Sequence, residues 1–87
     1  MHVTIISPER AVYDGDGTSV VAPAYDGEVG ILPRHAPFTT LLGSGRLIVR
    51  RGAEATEFRV VGGFLQVRND AVRIVAEQIS EGASNAS

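Results

Sequence analysis

The sequence predicts an all-β domain, built as a sandwich or a barrel, and three observations carry that reading. Turn signals made of Gly, Asp, Asn and Pro recur roughly every 8–12 residues. The stretches between them are rich in Val, Ile, Leu, Phe and Thr, and several alternate apolar with charged residues. No stretch keeps the i, i+3, i+4, i+7 apolar spacing of an amphipathic helix.

The elements follow in order. Residues 3–6 (Val-Thr-Ile-Ile) form a short β-branched strand that Pro8 stops. Asp14-Gly15-Asp16-Gly17 is a dense turn signal. Residues 18–22 form a strand ended by Pro23, and Asp26-Gly27 marks a hairpin from which residues 29–32 pair back. Residues 38–42 form another strand, broken by Gly43-Ser44-Gly45. Residues 46–51, 54–61, 64–68 and 71–77 complete the set, separated by Gly52-Ala53, Gly62-Gly63 and Asn69-Asp70. The Gly62-Gly63 pair reads as a β-bulge or as a place where another backbone comes close.

Alternation assigns faces. Val72, Ile74 and Ala76 oppose Arg73 and Glu77; Leu65 and Val67 oppose Gln66 and Arg68; Phe58 and Val60 oppose Glu57 and Arg59. Each pattern predicts one buried and one wet face, the usual arrangement of an antiparallel sheet. Val61 and Val75 fall on the wet side. If they gather with Ile48, which lies between Arg46 and Arg50, they form an apolar patch of the kind that marks a partner.

Composition bounds the function. Eighty-seven residues make one domain, with residues 1–81 as the folded part and the small, polar residues 82–87 as a disordered tail. A chain of this length buries only about 60–65% of its unfolded surface, so its stability is thin. With no cysteine, no disulfide framework compensates. The net charge is -2, and the eight basic residues, all arginine, are scattered, which argues against a nucleic-acid partner. No apolar run approaches the length of a membrane span. The start Met1-His2-Val3-Thr4 lacks the basic stretch and apolar core of a secretory signal, which argues against secretion.

Candidate chemistry is sparse. Ser7, Ser44 or Thr39 could pair with His35, oriented by Asp26 or Glu28, but no serine sits in a G-x-S-x-G elbow. His2, His35 and the scattered carboxylates lack a metal-ligand spacing. Asp14 and Asp16 are more simply read as Asx-turn residues than as an acid–base pair. Gly43-Ser44-Gly45 opens no helix and is too short to cradle a phosphate. The sequence therefore predicts no catalytic residue, no metal and no cofactor. Its most specified block is Gly27-Glu28-Val29-Gly30-Ile31-Leu32-Pro33-Arg34-His35-Ala36-Pro37, where glycines and prolines fix one backbone path that presents Glu28, Arg34 and His35. Such a block suits a shaped contact surface; a well-specified turn between strands is the simpler account.

That block resembles the signature of the epsilon subunit of F-type ATP synthases. Val3-Thr4-Ile5-Ile6-Ser7-Pro8-Glu9 is similar to the family's first strand and turn, and Gly45-Arg46-Leu47 to its "G-x-L/I" strand start. Val61-Gly62-Gly63-Phe64-Leu65-Gln66-Val67 is similar to its "x-G-G-x-x-x-V" hairpin, and Asn69-Asp70-Ala71-Val72-x-Ile74-Val75-Ala76-Glu77 to its last strand. The likeness runs over residues 3–81. It implies a flattened sandwich of two antiparallel sheets and a rotor subunit of the central stalk. That subunit is bound to gamma and the c-ring and couples proton translocation to ATP synthesis without performing chemistry. It implies peripheral attachment, through the complex, at the cytoplasmic face of the bacterial plasma membrane. It places Glu28 toward the polar loops of the c-ring, and Ser7 and His35-Ala36-Pro37 toward gamma. Typical members continue beyond the position of Glu81 into two helices that inhibit hydrolysis and in some members bind ATP. This chain stops there, and its ending has no helix-start pattern, so a natural short form is the expectation and neither property is assigned to it. The alternative is a small-ligand-binding or enzymatic β-sandwich with its site at His35. A deep apolar pocket beside that residue would favour it.

Overall fold

A computed structural model describes residues 1–81 as eight strands. They are β1 (His2–Ile6), β2 (Ala11–Asp16), β3 (Ser19–Ala24), β4 (Gly27–Ile31), β5 (Phe38–Leu41), β6 (Ser44–Arg51), β7 (Glu54–Arg68) and β8 (Ala71–Glu81). The expectation of a disordered 82–87 tail lies outside the described residues. Among the described residues no helix forms, and none therefore is long and apolar enough to cross a membrane.

The strands hydrogen-bond in the order β2-β1-β8-β7-β6-β3-β4, with β5 added to β7. This ladder folds over on itself at Gly62 and Gly63. Residues 63–68 of β7 pair with β5 and with 71–76 of β8, which pairs with β1. Residues 54–61 of β7 pair with β6 and with 78–81 of β8. The first layer is thus β2-β1-β8-β7-β5 and the second β8-β7-β6-β3-β4. Tyr13 of β2 meets Phe58 of β7 edge to face, with ring centroids 6.4 Å apart, so the two layers share one core. The molecule measures 33 × 27 × 25 Å.

The corner shows why two glycines stand there. Pairing runs Val60↔Ile79 and Val61↔Gln78, skips Gly62, and resumes at Gly63↔Ala76 in the same register. Both strands change phase together. Phe58 and Val60 are buried before the corner and Leu65 and Val67 after it; on β8, Ala76 is buried and Ile79 packs on the core. Gly62 and Gly63 adopt φ of 71° and 114°. The pair is therefore a close backbone approach and not an inserted residue. The Gly62 N–H donates to Gly43 O at 3.0 Å, and Gly63 O accepts from the Leu42 N–H at 2.9 Å. The link between β5 and β6 thereby satisfies the groups the corner leaves open.

All six core positions read from alternation (Phe58, Val60, Leu65, Val67, Val72 and Ile74) are buried, joined by Val3, Ile5, Val20, Ile31, Leu47 and Val49. Burial of each such side chain contributes about 1.5–3 kcal/mol.

Three readings need correction. Asp14-Gly15-Asp16 is the end of strand β2, and not a turn. Its aspartates stand outward opposite Thr4 and His2, and Gly15 faces Val3 and leaves room beside the Tyr13 ring. Pairing with β1 overrides the low strand propensity of Asp and Gly. The sheets are also not wholly antiparallel, because β1 lies parallel to β8. First and last strands meet across the length of the chain, a pairing that leaves no local signal. Finally, Val75 does not gather with Val61 and Ile48. It stands on the outer face of the first layer, and they stand on that of the second.

Candidate interaction surface

The Pro33–Pro37 segment begins where β4 ends. Ile31 is buried and anchors it. The His35 N–H donates to Leu32 O at 3.1 Å, closing a four-residue turn. Pro33 supplies the fixed φ of its second position and Arg34, at φ 64°, the positive φ of its third, as a type II turn requires. Arg34 carries a side chain where glycine is usual. Its N–H donates to Asp70 Oδ1 at 2.8 Å. His35 is half-buried, and its Nδ1 lies 2.7 Å from Ala36 O, so that nitrogen carries the proton. The ring lies 5.8 Å from that of Phe38. Ala36 and Pro37 are exposed.

Ser7 serves a different purpose from an exposed contact. It is 6% exposed. Its Oγ donates to Arg10 O at 3.1 Å and accepts the Arg10 N–H at 3.3 Å, closing the turn from β1 to β2. Pro8, Glu9 and Arg10 are the residues that turn presents. Ser7 follows Ile6 at the corner end of β1, while His2 at the other end donates its N–H to Asp70 O, beside Arg34. The Ser7 and His35 turns therefore bracket the first layer.

Between them lies a row that the sequence did not disclose. Leu41 pairs with Phe64, Phe64 with Val75, Val75 with Ile6, and Ile6 with Ala11. Directly paired residues point the same way, so five strands align five apolar side chains on the outer face. Leu41 is 62% and Phe64 39% exposed. The next row is polar: Thr39, Gln66, Arg73, Thr4 and Asp14. His2 Nε2 meets Asp14 Oδ1 at 2.6 Å on the same face. Only the outward phase of Val75 hinted at the row.

Glu28 stands apart. It is exposed on β4 opposite Pro23, next to the Tyr25-Asp26 turn. An open cleft of about 420 Å³ lies there, lined by Pro23, Glu28, Arg46 and Arg59 among others. Arg46 pairs with Glu57 at 3.6 Å. A second open cleft, of about 450 Å³, is lined by Tyr25, Asp26 and residues 38–41. His35 lines neither. Ser7, Ser44 and Glu28 lie toward the corner end and His35 at the Asp70 end, while Thr39 and Asp26 line the second cleft without His35, whose ring bonds Ala36 O instead, so the structure does not assemble a nucleophile–base pair from them. Among the described residues no cluster of His, Asp or Glu could hold a metal ion.

Comparison with known proteins agrees with this architecture. The family described as the ATP synthase delta/epsilon chain, beta-sandwich domain, matches residues 1–82. An ATP synthase epsilon chain of Leptospira borgpetersenii is 40% identical over 77 residues, which is 88% of this chain and 61% of that one. One of Chloroflexus aurantiacus is 42% identical over 91% of this chain and 57% of its own length. The chain thus spans about three fifths of these relatives. An ATP synthase epsilon chain of Caulobacter vibrioides is 37% identical over 95% of this chain and 96% of its own. Among solved structures, a chain of the Euglena gracilis mitochondrial ATP synthase superposes with a TM-score of 0.84 at 21% identity, over 91% of this chain and 51% of that one. That likeness concerns the fold.

Proposed function

The chain belongs to the delta/epsilon-chain family of ATP synthase, whose β-sandwich domain it carries in residues 1–82, and from that premise we propose that it is a non-catalytic rotor subunit of the central stalk. In this reading it binds gamma across the outer face of the first layer and meets the c-ring through Glu28. By holding both it couples proton translocation to ATP synthesis. It associates with the cytoplasmic face of the bacterial plasma membrane only through the complex.

The observation that carries the reading is the apolar row from Leu41 through Phe64, Val75 and Ile6 to Ala11, set between the Ser7 turn and the His35 turn. An exposed apolar stripe bordered by polar residues fits a protein partner better than water. The prolines at 33 and 37 order the His35 turn before any partner arrives, which lowers the entropic cost of association. An enzymatic or small-ligand site at His35 is the weaker reading, because its Nδ1 is engaged by Ala36 and it lines neither cleft.

Titration calorimetry of the folded Phe64→Glu variant against purified gamma tests the surface. Placing a charge within the row should weaken binding at least tenfold, about 1.4 kcal/mol. Affinity equal to that of the unaltered chain would remove this face from the interface.

A further inference from the structure

From the tip of the β7–β8 hairpin Asp70 touches three residues in two separate segments. Its Oδ1 accepts the Arg34 N–H at 2.8 Å, its Oδ2 lies 3.9 Å from the Met1 amino group, and its carbonyl accepts the His2 N–H at 3.1 Å. Asn69 and Asp70 themselves hold φ of 52° and 60°, the pair of left-handed residues that a two-residue type I′ hairpin requires.

The bond to Arg34 spans 36 residues of sequence and reaches the least favourable point of the His35 turn. Arg34 sits at φ 64°, a region disfavoured for any residue with a Cβ. Left to itself, the turn would drift toward conformers in which the Arg34 N–H points elsewhere. A carboxylate acceptor on a rigid hairpin opposes that drift, and bonds with an ionised partner are the stronger kind. The His35 N–H bond to Leu32 and the His35 Nδ1 contact with Ala36 lie immediately downstream of the atom that Asp70 holds.

We propose that Asp70 is a positioning residue that locks the Pro33–Pro37 turn through the Arg34 amide and so orients His35, Ala36 and Pro37 for gamma. The link to gamma rests on the function proposed above; the lock itself does not.

Two substitutions separate the lock from the hairpin. Asp70→Gly keeps the turn, since Asn-Gly is the favoured type I′ pair, and deletes the acceptor. Asp70→Asn keeps both a left-handed residue and an acceptor oxygen. The Arg34 amide should exchange with solvent deuterium at least about tenfold faster in Asp70→Gly, and only about threefold faster in Asp70→Asn, which keeps an acceptor but loses its charge. Gamma affinity should fall about fivefold in the first and hold in the second. An Arg34 amide that exchanges no faster in Asp70→Gly overturns the lock. Faster exchange with unchanged gamma affinity, where Phe64→Glu does weaken gamma, overturns its role in binding. If Phe64→Glu and Ala36→Trp both leave gamma binding intact, the gamma reading itself fails, and Arg34 exchange alone decides the lock.

Discussion

The carbonyl oxygen of Val75 occupies the space that a Cβ on Gly63 would fill. The clash is with backbone, so no side-chain rotation relieves it. The two strands cross between layers at this point only because residue 63 has no side chain. Gly63→Ala should therefore cost more than about 3 kcal/mol or prevent folding, through strain at a special φ and a displaced strand. Gly30→Ala is the control, because a Cβ there meets nothing within 4 Å. It should change stability by less than about 0.5 kcal/mol in urea denaturation. Similar losses for the two variants would contradict this account of the corner.

Ile74 is fully buried and pairs with Leu65 on one side and Ile5 on the other. Truncation to alanine leaves a cavity at the centre of the first layer. Ile74→Ala should lose about 2–4 kcal/mol. A loss below about 0.5 kcal/mol in chemical denaturation would contradict its inward orientation.

Glu28 is solvated and far from the core, so Glu28→Lys should alter stability by no more than about 0.5 kcal/mol. If it meets the c-ring, the reversed charge should weaken coupling between ATP turnover and proton flux. ATP-driven proton pumping in reconstituted membranes measures this directly. Pumping equal to that of the unaltered complex sinks the assignment.

Ala36 is exposed and small in a turn already ordered by its flanking prolines and by Asp70. A tryptophan there should obstruct close approach without disturbing the core. Ala36→Trp should bind gamma at least tenfold more weakly, about 1.4 kcal/mol, by titration calorimetry. Equal affinity in two folded proteins would take the turn out of the interface.

Local pattern carried much of the fold. Alternation around Phe58, Leu65, Val72 and Ile74 identified the core because a strand has a period of two and one face must be dry. Pro33 and Pro37, at the two ends of the His35 block, announced a shaped turn, and Gly62-Gly63 announced a bulge or a close approach, of which the structure has the second. β2 escaped notice because Asp and Gly are poor strand formers, and only pairing with β1 makes Asp14-Gly15-Asp16 extended.

The sequence by itself thus determined which residues alternate, where the chain turns at every point but the false signal at Asp14-Gly15-Asp16, and where a glycine pair stands in for side chains. These follow from steric rules acting over a few residues. Tertiary structure alone decided that Leu41, Phe64, Val75, Ile6 and Ala11 form one row, since that needs the registers of four strand pairs. It alone set Asp70 against the Arg34 amide and put Ser7 inside its own turn. Such contacts join segments remote in sequence, and nothing in a local pattern encodes which remote partner a strand or turn will meet.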